Sequence, residues 1–182
     1  MKTVTMKQTL LAAAALASLA FTSCGVIPTP AVPIPDAEVS LPPSSAVAGR
    51  VIYMKTDVLG GVSLPGVLQQ VSITGMATYT SGGGNLSGAN VFIRSTVDPL
   101  PAGCATTNLA PVILCDPAGE VARQIGTVNL TSGTAMAFTL RGPELDAAAK
   151  AGHGYIGVLI TGGSTVLTDK LKLTGMEARA KF

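Results

Sequence analysis

Leu68 to Thr80 reads LQQVSITGMATYT, and its period decides the fold class. Val71, Ile73, Ala77 and Tyr79 alternate with Ser72, Thr74, Thr78 and Thr80. Successive side chains of a strand point to opposite faces, so the pattern predicts a strand with one buried face and one hydroxyl-rich face. Two-faced strands of this kind belong to antiparallel sheets with one side in water.

The same period extends outward. Arg50 to Val58 reads as a first strand, followed by a turn at Ser63-Leu64-Pro65-Gly66. Ser81-Gly82-Gly83-Gly84-Asn85 breaks the chain, and Ala89 to Thr96 resumes it as a β-branched segment. Val121 to Leu130 and Thr134 to Leu140 flank Thr131-Ser132-Gly133, and Tyr155 to Thr161 and Thr165 to Phe182 flank Gly162-Gly163-Ser164. Both pairs are expected to be hairpins. Between them, Gly142-Pro143-Glu144 opens a short Ala-rich helix with Lys150 in its last turn and Gly152 as its cap, expected to cross between sheets.

In the last strand Leu171 and Leu173 are apolar at odd positions, but beyond Gly175 the apolar set moves to Met176, Ala178, Ala180 and Phe182. A one-residue slip flips every side chain, so a bulge at Thr174-Gly175 is needed to keep both sets on one face. Ile73-Thr74-Gly75-Met76 matches Leu173-Thr174-Gly175-Met176, which suggests two bulged strands side by side or on opposing sheets. The predicted fold is all-β: an antiparallel β-sandwich of seven to eight strands with one short crossover helix, an open β-barrel being the alternative.

The chain begins MKTVTMKQTLLAAAALASLAFTSC, with Lys2 and Lys7 ahead of an uncharged apolar run, Leu10 to Phe21. Those 12 residues have the length of a signal-peptide core and fall short of the roughly 20 that cross a bilayer. Phe21-Thr22-Ser23-Cys24 resembles the lipobox of bacterial lipoproteins, in which a small residue precedes the cysteine that receives lipid. Ser23, Thr22 and the following Gly25 fit the pattern, whereas Phe21 stands where Leu, Val or Ile is usual. The resemblance implies lipidation of Cys24 and a lipid-anchored place in the cell envelope; the alternative is a secreted or periplasmic soluble protein. It covers only these first residues and implies no activity.

The expected organisation is therefore a signal peptide over 1–23, a lipid attachment site and linker over 24–48, and a β-sandwich domain over 49–182. Six of the 12 prolines, Pro28, Pro30, Pro33, Pro35, Pro42 and Pro43, lie in that linker. Their density predicts an extended polyproline spacer holding the domain away from the membrane. With Lys2 and Lys7 removed, 12 − 2 = 10 basic residues balance 10 acidic ones. Zero net charge argues against a nucleic-acid partner and a polybasic membrane patch.

Cys104 and Cys115 remain as a pair in a Pro-, Gly- and Thr-rich loop, and an exported protein is expected to bond them as a staple over Asp98 to Glu120.

No catalytic, cofactor-binding or metal residue is assigned. His153, the one histidine, lies in Gly152-His153-Gly154 without a Gly-x-Ser-x-Gly elbow, and reads as a loop residue. Zinc and copper centres usually take several imidazoles or thiolates, and Met54, Met76, Met136 and Met176 alternate like packing residues. Asp57, Asp98, Asp116, Glu120 and Asp146 could supply a hydrolase carboxylate pair, and Asp116 with Glu120 a calcium site, though solvated turn acids are the simpler reading. The Gly82-Gly83-Gly84 run lacks the Gly-Lys-Ser/Thr ending of a phosphate loop.

These features favour a structural or interaction protein of the envelope, in contact with envelope proteins or wall polymers. A ligand-binding module for sugars or small apolar molecules is the alternative. It is weakened by the absence of Trp and by only three Tyr for stacking. A hydrolase ranks below both.

Overall fold

The structure, a computed structural model, describes residues 27–60, 65–106 and 112–181. The expected signal peptide, Cys24 and most of the expected turn before Pro65 lie outside the described residues.

Among the described residues eleven strands run in order: β1 Val32–Ile34, β2 Ala37–Ser40, β3 Val51–Asp57, β4 Gln69–Thr80, β5 Gly88–Arg94, β6 Cys104–Thr106, β7 Val112–Cys115, β8 Gln124–Asn129, β9 Ala135–Arg141, β10 Tyr155–Gly162 and β11 Lys170–Lys181. A one-turn helix α1, Ser44–Val47, and the longer α2, Pro143–Ala151, accompany them. The strands form two antiparallel sheets, a β-sandwich as the strand period predicts. The five-stranded sheet has the order β1-β11-β4-β9, with β2 also on β11, and the six-stranded sheet has the order β6-β7-β3-β10-β5-β8.

The layer between the sheets is filled from both sides. Val71, Ala77 and Tyr79 of β4, Phe138 and Leu140 of β9, and Met176 and Ala180 of β11 meet Val91 and Ile93 of β5 and Val128 of β8. Leu145, Ala148 and Ala149 of α2 close one end of this core. As expected, α2 starts on Pro143, ends on Gly152 at φ 75°, and carries the chain from one sheet to the other.

The bulge in β11 is present. Gly175 has φ 57°, and the register with β4 shifts between Thr174 and Glu177. Leu171 and Leu173 before it therefore pack on the same core as Met176 and Ala180 after it. Thr174 pairs with Met76, so the two Thr-Gly-Met segments lie side by side. A second shift, between Arg179 and Lys181, places an extra residue in β4 near Gln70, whose φ is 53°. The two extra residues compensate, one in each strand. Each bulge frees backbone N–H groups, and aspartates accept them: Asp36 Oδ1 takes Gly175 N–H at 3.0 Å, while Asp146 takes Gln70 N–H at 3.1 Å and Val71 N–H at 2.6 Å.

Three expectations are corrected. Both predicted hairpins are crossings between sheets: β8 pairs with β5 but β9 with β4, and β10 pairs with β3 and β5 but β11 with β4. The Thr131-Ser132-Gly133 connection is held from outside itself, with Gly133 N–H on Tyr79 O at 2.8 Å and Leu130 N–H on Ser87 O at 2.9 Å. The loop after Gly162 is likewise fixed by Asn85, whose side chain accepts Ser164 N–H at 2.8 Å.

The Pro-rich segment is the third correction. β1 and β2 are two pieces of one edge strand on β11, pairing Val32 with Ala178 and Val39 with Leu171, and Pro28 bridges Lys181. The expected spacer is thus part of the sheet from Pro28 to Ser40. Proline is compatible with an edge strand because its missing N–H can face away from the ladder. With β6 and β7 in the disulfide loop, these pieces raise the strand count above the expected eight.

Candidate functional site

The six-stranded sheet is apolar on both faces. Its outer face carries Val51 and Tyr53 of β3, Phe92 of β5, and Ile113 and Cys115 of β7, with Val97, Cys104, Tyr155 and Leu159 packed against them. Gly157 permits this packing, since a Cβ there would lie 2.6 Å from the Tyr53 ring.

Cys104 and Cys115 are bonded, as expected, and stand directly opposite each other on β6 and β7. Beside them lies a buried polar cluster. Glu120, 1% exposed, accepts the Tyr53 hydroxyl at 2.7 Å and takes two bonds from the Arg94 guanidinium, the Nε one at 3.1 Å. Arg94 also lies over the Tyr53 ring, 5.5 Å from its centroid. Burial, reinforced by the Glu120 carboxylate, pushes the Tyr53 phenol far above its usual range. Burial opposes the Arg94 charge, but the bonds and charge of Glu120 outweigh it and raise its pKa. The two sulfurs and a Glu120 oxygen lie within 4.8 Å of one another, yet sulfurs bonded together are not thiolate ligands. The cluster pairs the buried Glu120 charge with Arg94 beside the disulfide.

A second polar centre sits where the chain crosses between sheets. Asp169, fully buried, accepts the Tyr79 hydroxyl at 2.8 Å and the N–H groups of Gly82 at 2.7 Å, Gly84 at 3.2 Å and Val166 at 3.0 Å. Burial alone would raise its pKa, but these donors hold the carboxyl below its usual range. The glycine run Gly82 to Gly84 is thereby wrapped around a carboxylate of this chain, which occupies the backbone donors that a phosphate would need.

His153 and Asp57 meet at the end of β3. Asp57 Oδ2 lies 2.7 Å from His153 Nδ1, and Oδ1 accepts the N–H groups of Gly154 at 2.9 Å and Leu59 at 3.0 Å. Gly154 N–H and then the His153 bond pull the Asp57 carboxyl down to about 2. A histidine oriented by an aspartate is half of a general-base arrangement. Among the described residues, no serine or threonine hydroxyl is hydrogen-bonded to its ring.

The remaining acids stay apart. Asp116 caps a 3-10 turn by accepting Ala118 N–H at 3.0 Å, Glu120 is held by Arg94, and Asp146 is spent on the β4 bulge. The methionines scatter: Met176 is buried, Met54 and Met136 are half-buried, and Met76 is exposed on the outer face of β4, contrary to the packing expectation. A cavity of about 330 Å³ lies between α1 and the end of β10, lined by Ser44, Ser45, Val47, Ala48, Gly49, Ile160 and Gly163, none of them charged.

The outer face of the five-stranded sheet is the broad exposed surface. Thr74, Met76 and Thr80 of β4 lie among Ala137, Thr139 and Arg141 of β9 and Lys170, Lys172, Arg179 and Lys181 of β11. Sequence reasoning found its hydroxyl pattern but not its cations, because these sit on strands assigned to other partners. Among the described residues, no helix is long and apolar enough to cross a membrane. No protein-family model, curated protein or solved structure matches the chain.

Proposed function

We propose that this is an exported, lipid-anchored protein of the cell envelope that works by surface contact, with a structural or protein-interaction role. The observation that carries the reading is the division of polar groups. Glu120, Asp169, Asp146 and Asp36 are consumed by internal donors, while the hydroxyls and cations of the five-stranded sheet are turned outward. Glu120 and Asp169 are buried and fully partnered, and such carboxylates stabilise a scaffold and are poorly placed to exchange protons with a substrate.

The lipobox-like Phe21-Thr22-Ser23-Cys24 supports anchoring, and the cysteine pair bonded in the structure agrees with an oxidising compartment. A ligand-binding module is the second reading, favoured by the cavity beside α1; its uncharged lining suits a small neutral molecule.

Crosslinking of the intact protein in its own envelope, followed by mass spectrometry with a Cys24→Ser control, tests the proposal. A stoichiometric envelope partner, with both partner and membrane association lost in the control, is the expected result. Recovery of the protein alone, or unchanged membrane association of Cys24→Ser, would overturn it.

A further inference from the structure

We infer that the corner of the five-stranded sheet bearing Arg141, Arg179 and Lys181 rests on an anionic lipid surface; this rests on the lipid-anchoring reading above. Chain length makes the first argument. Pro28 already bridges Lys181 at the end of β11, so only four residue steps separate Cys24 from the sheet. Fully extended, they reach about 14 Å. A lipid on Cys24 therefore holds this corner against the headgroups.

Charge makes the second. Arg179 and Arg141 both pair with Ser72, one from each side, so they stand on the same face about 10 Å apart, two strand spacings. Lys181 follows on the same strand, directly beside the point where the anchor segment enters. All three are exposed, and among the described residues Arg141 and Lys181 have no ion-pair partner, while Arg179 meets Glu177 at 3.1 Å. Asp146, the acid facing β4 at this end, is held by the Gln70 and Val71 amides. Ile27 and Val32, 67% and 59% exposed, add apolar surface at the same edge.

A net charge of zero for the mature chain hides this local excess. Near an anionic leaflet each such cation strengthens attachment about fivefold, and the effect fades beyond about 10 Å, so only a tightly tethered corner profits from it. The cations would also orient the domain, turning its opposite end toward envelope partners.

The test uses the mature protein purified from membranes. Intact mass first reports whether Cys24 carries acyl chains; a mass without them overturns both this inference and the anchoring reading. The acylated protein is then placed in vesicles of equal parts phosphatidylcholine and phosphatidylglycerol, in vesicles of phosphatidylcholine alone, and in detergent. Its lysines are labelled with a water-soluble acylating reagent. Lys181 labelling should fall several-fold in the anionic vesicles only, recover at high salt, and recover in Arg141→Glu, while Lys55 on β3 stays unchanged throughout. Equal labelling of Lys181 in both vesicle types would overturn the lipid surface while leaving the anchor intact. Protection in native membranes but not in the anionic vesicles would assign the corner to another partner instead.

Discussion

The two outer faces of the sandwich are built on opposite principles. That of the five-stranded sheet is open, with Thr74, Thr80, Thr139 and Lys172 exposed. That of the six-stranded sheet is roofed, with Tyr53, Phe92 and Cys115 buried, Val97 packed against them and Arg94 paired to Glu120. An open face needs only strands that alternate, whereas a roofed face needs partners from distant parts of the chain. The first is a local property of sequence; the second is not.

Glu120→Ala should break the contrast most severely. It leaves Arg94 charged and unpaired in a buried site, a loss of about 3–5 kcal/mol, whereas Thr139→Ala on the open face should stay within about 0.5 kcal/mol. Urea unfolding of both variants measures the difference. A small loss for Glu120→Ala would show that the roof opens to water readily.

Gly157→Ala should come next. The new methyl group meets the Tyr53 ring at 2.6 Å, and overpacking of this kind costs about 1–3 kcal/mol, read as a lower thermal midpoint. A neutral result would mean that the ring has room to move.

The smallest effect is expected at the rim, where Asp57 holds His153 and Gly154. Its carboxyl lies at about 2, below the ordinary 3.8, so its contribution is fully present above the ordinary value and lost as pH falls through about 2. Asp57→Asn should therefore be less stable than the parent at neutral pH, with the gap closing below pH 3.8. A gap independent of pH would assign the loss to the Asn amide rather than to the missing charge.

What could be read from the sequence follows the same division. The alternation in Leu68 to Thr80, the phase change at Gly175 and the Pro143-to-Gly152 helix signal are local, and each is found in the structure. The disulfide was legible from composition, since two cysteines remained once Cys24 was set aside. The β10–β11 crossing reads as a hairpin because Gly-Gly-Ser serves a tight hairpin and an arch between sheets equally well. The choice is made by Asn85 and Asp169, which hold the arch from 79 and 85 or more residues' separation along the chain.

Val51-Ile52-Tyr53 and Val91-Phe92-Ile93 did carry a usable signal. Unbroken apolar runs mark strands covered on both faces, so the roof itself was announced. Its polar pins were not: Arg94 and Glu120 are 26 residues apart with no motif between them. In the same way, six prolines within a short stretch suggested a spacer, because composition does not reveal that β11 has an unfilled edge.

That edge has a mechanical consequence. Pro28 and Lys181 lie together at one end of an antiparallel ladder, so a load applied between them opens the pairs one after another, as a zipper opens. β1 and then β2 would peel away while the β11–β4 ladder stays closed. Release of Pro28 through Ser40 adds 13 residues of chain, about 45 Å of length when extended. Under tension the fold would yield leash before it yields structure.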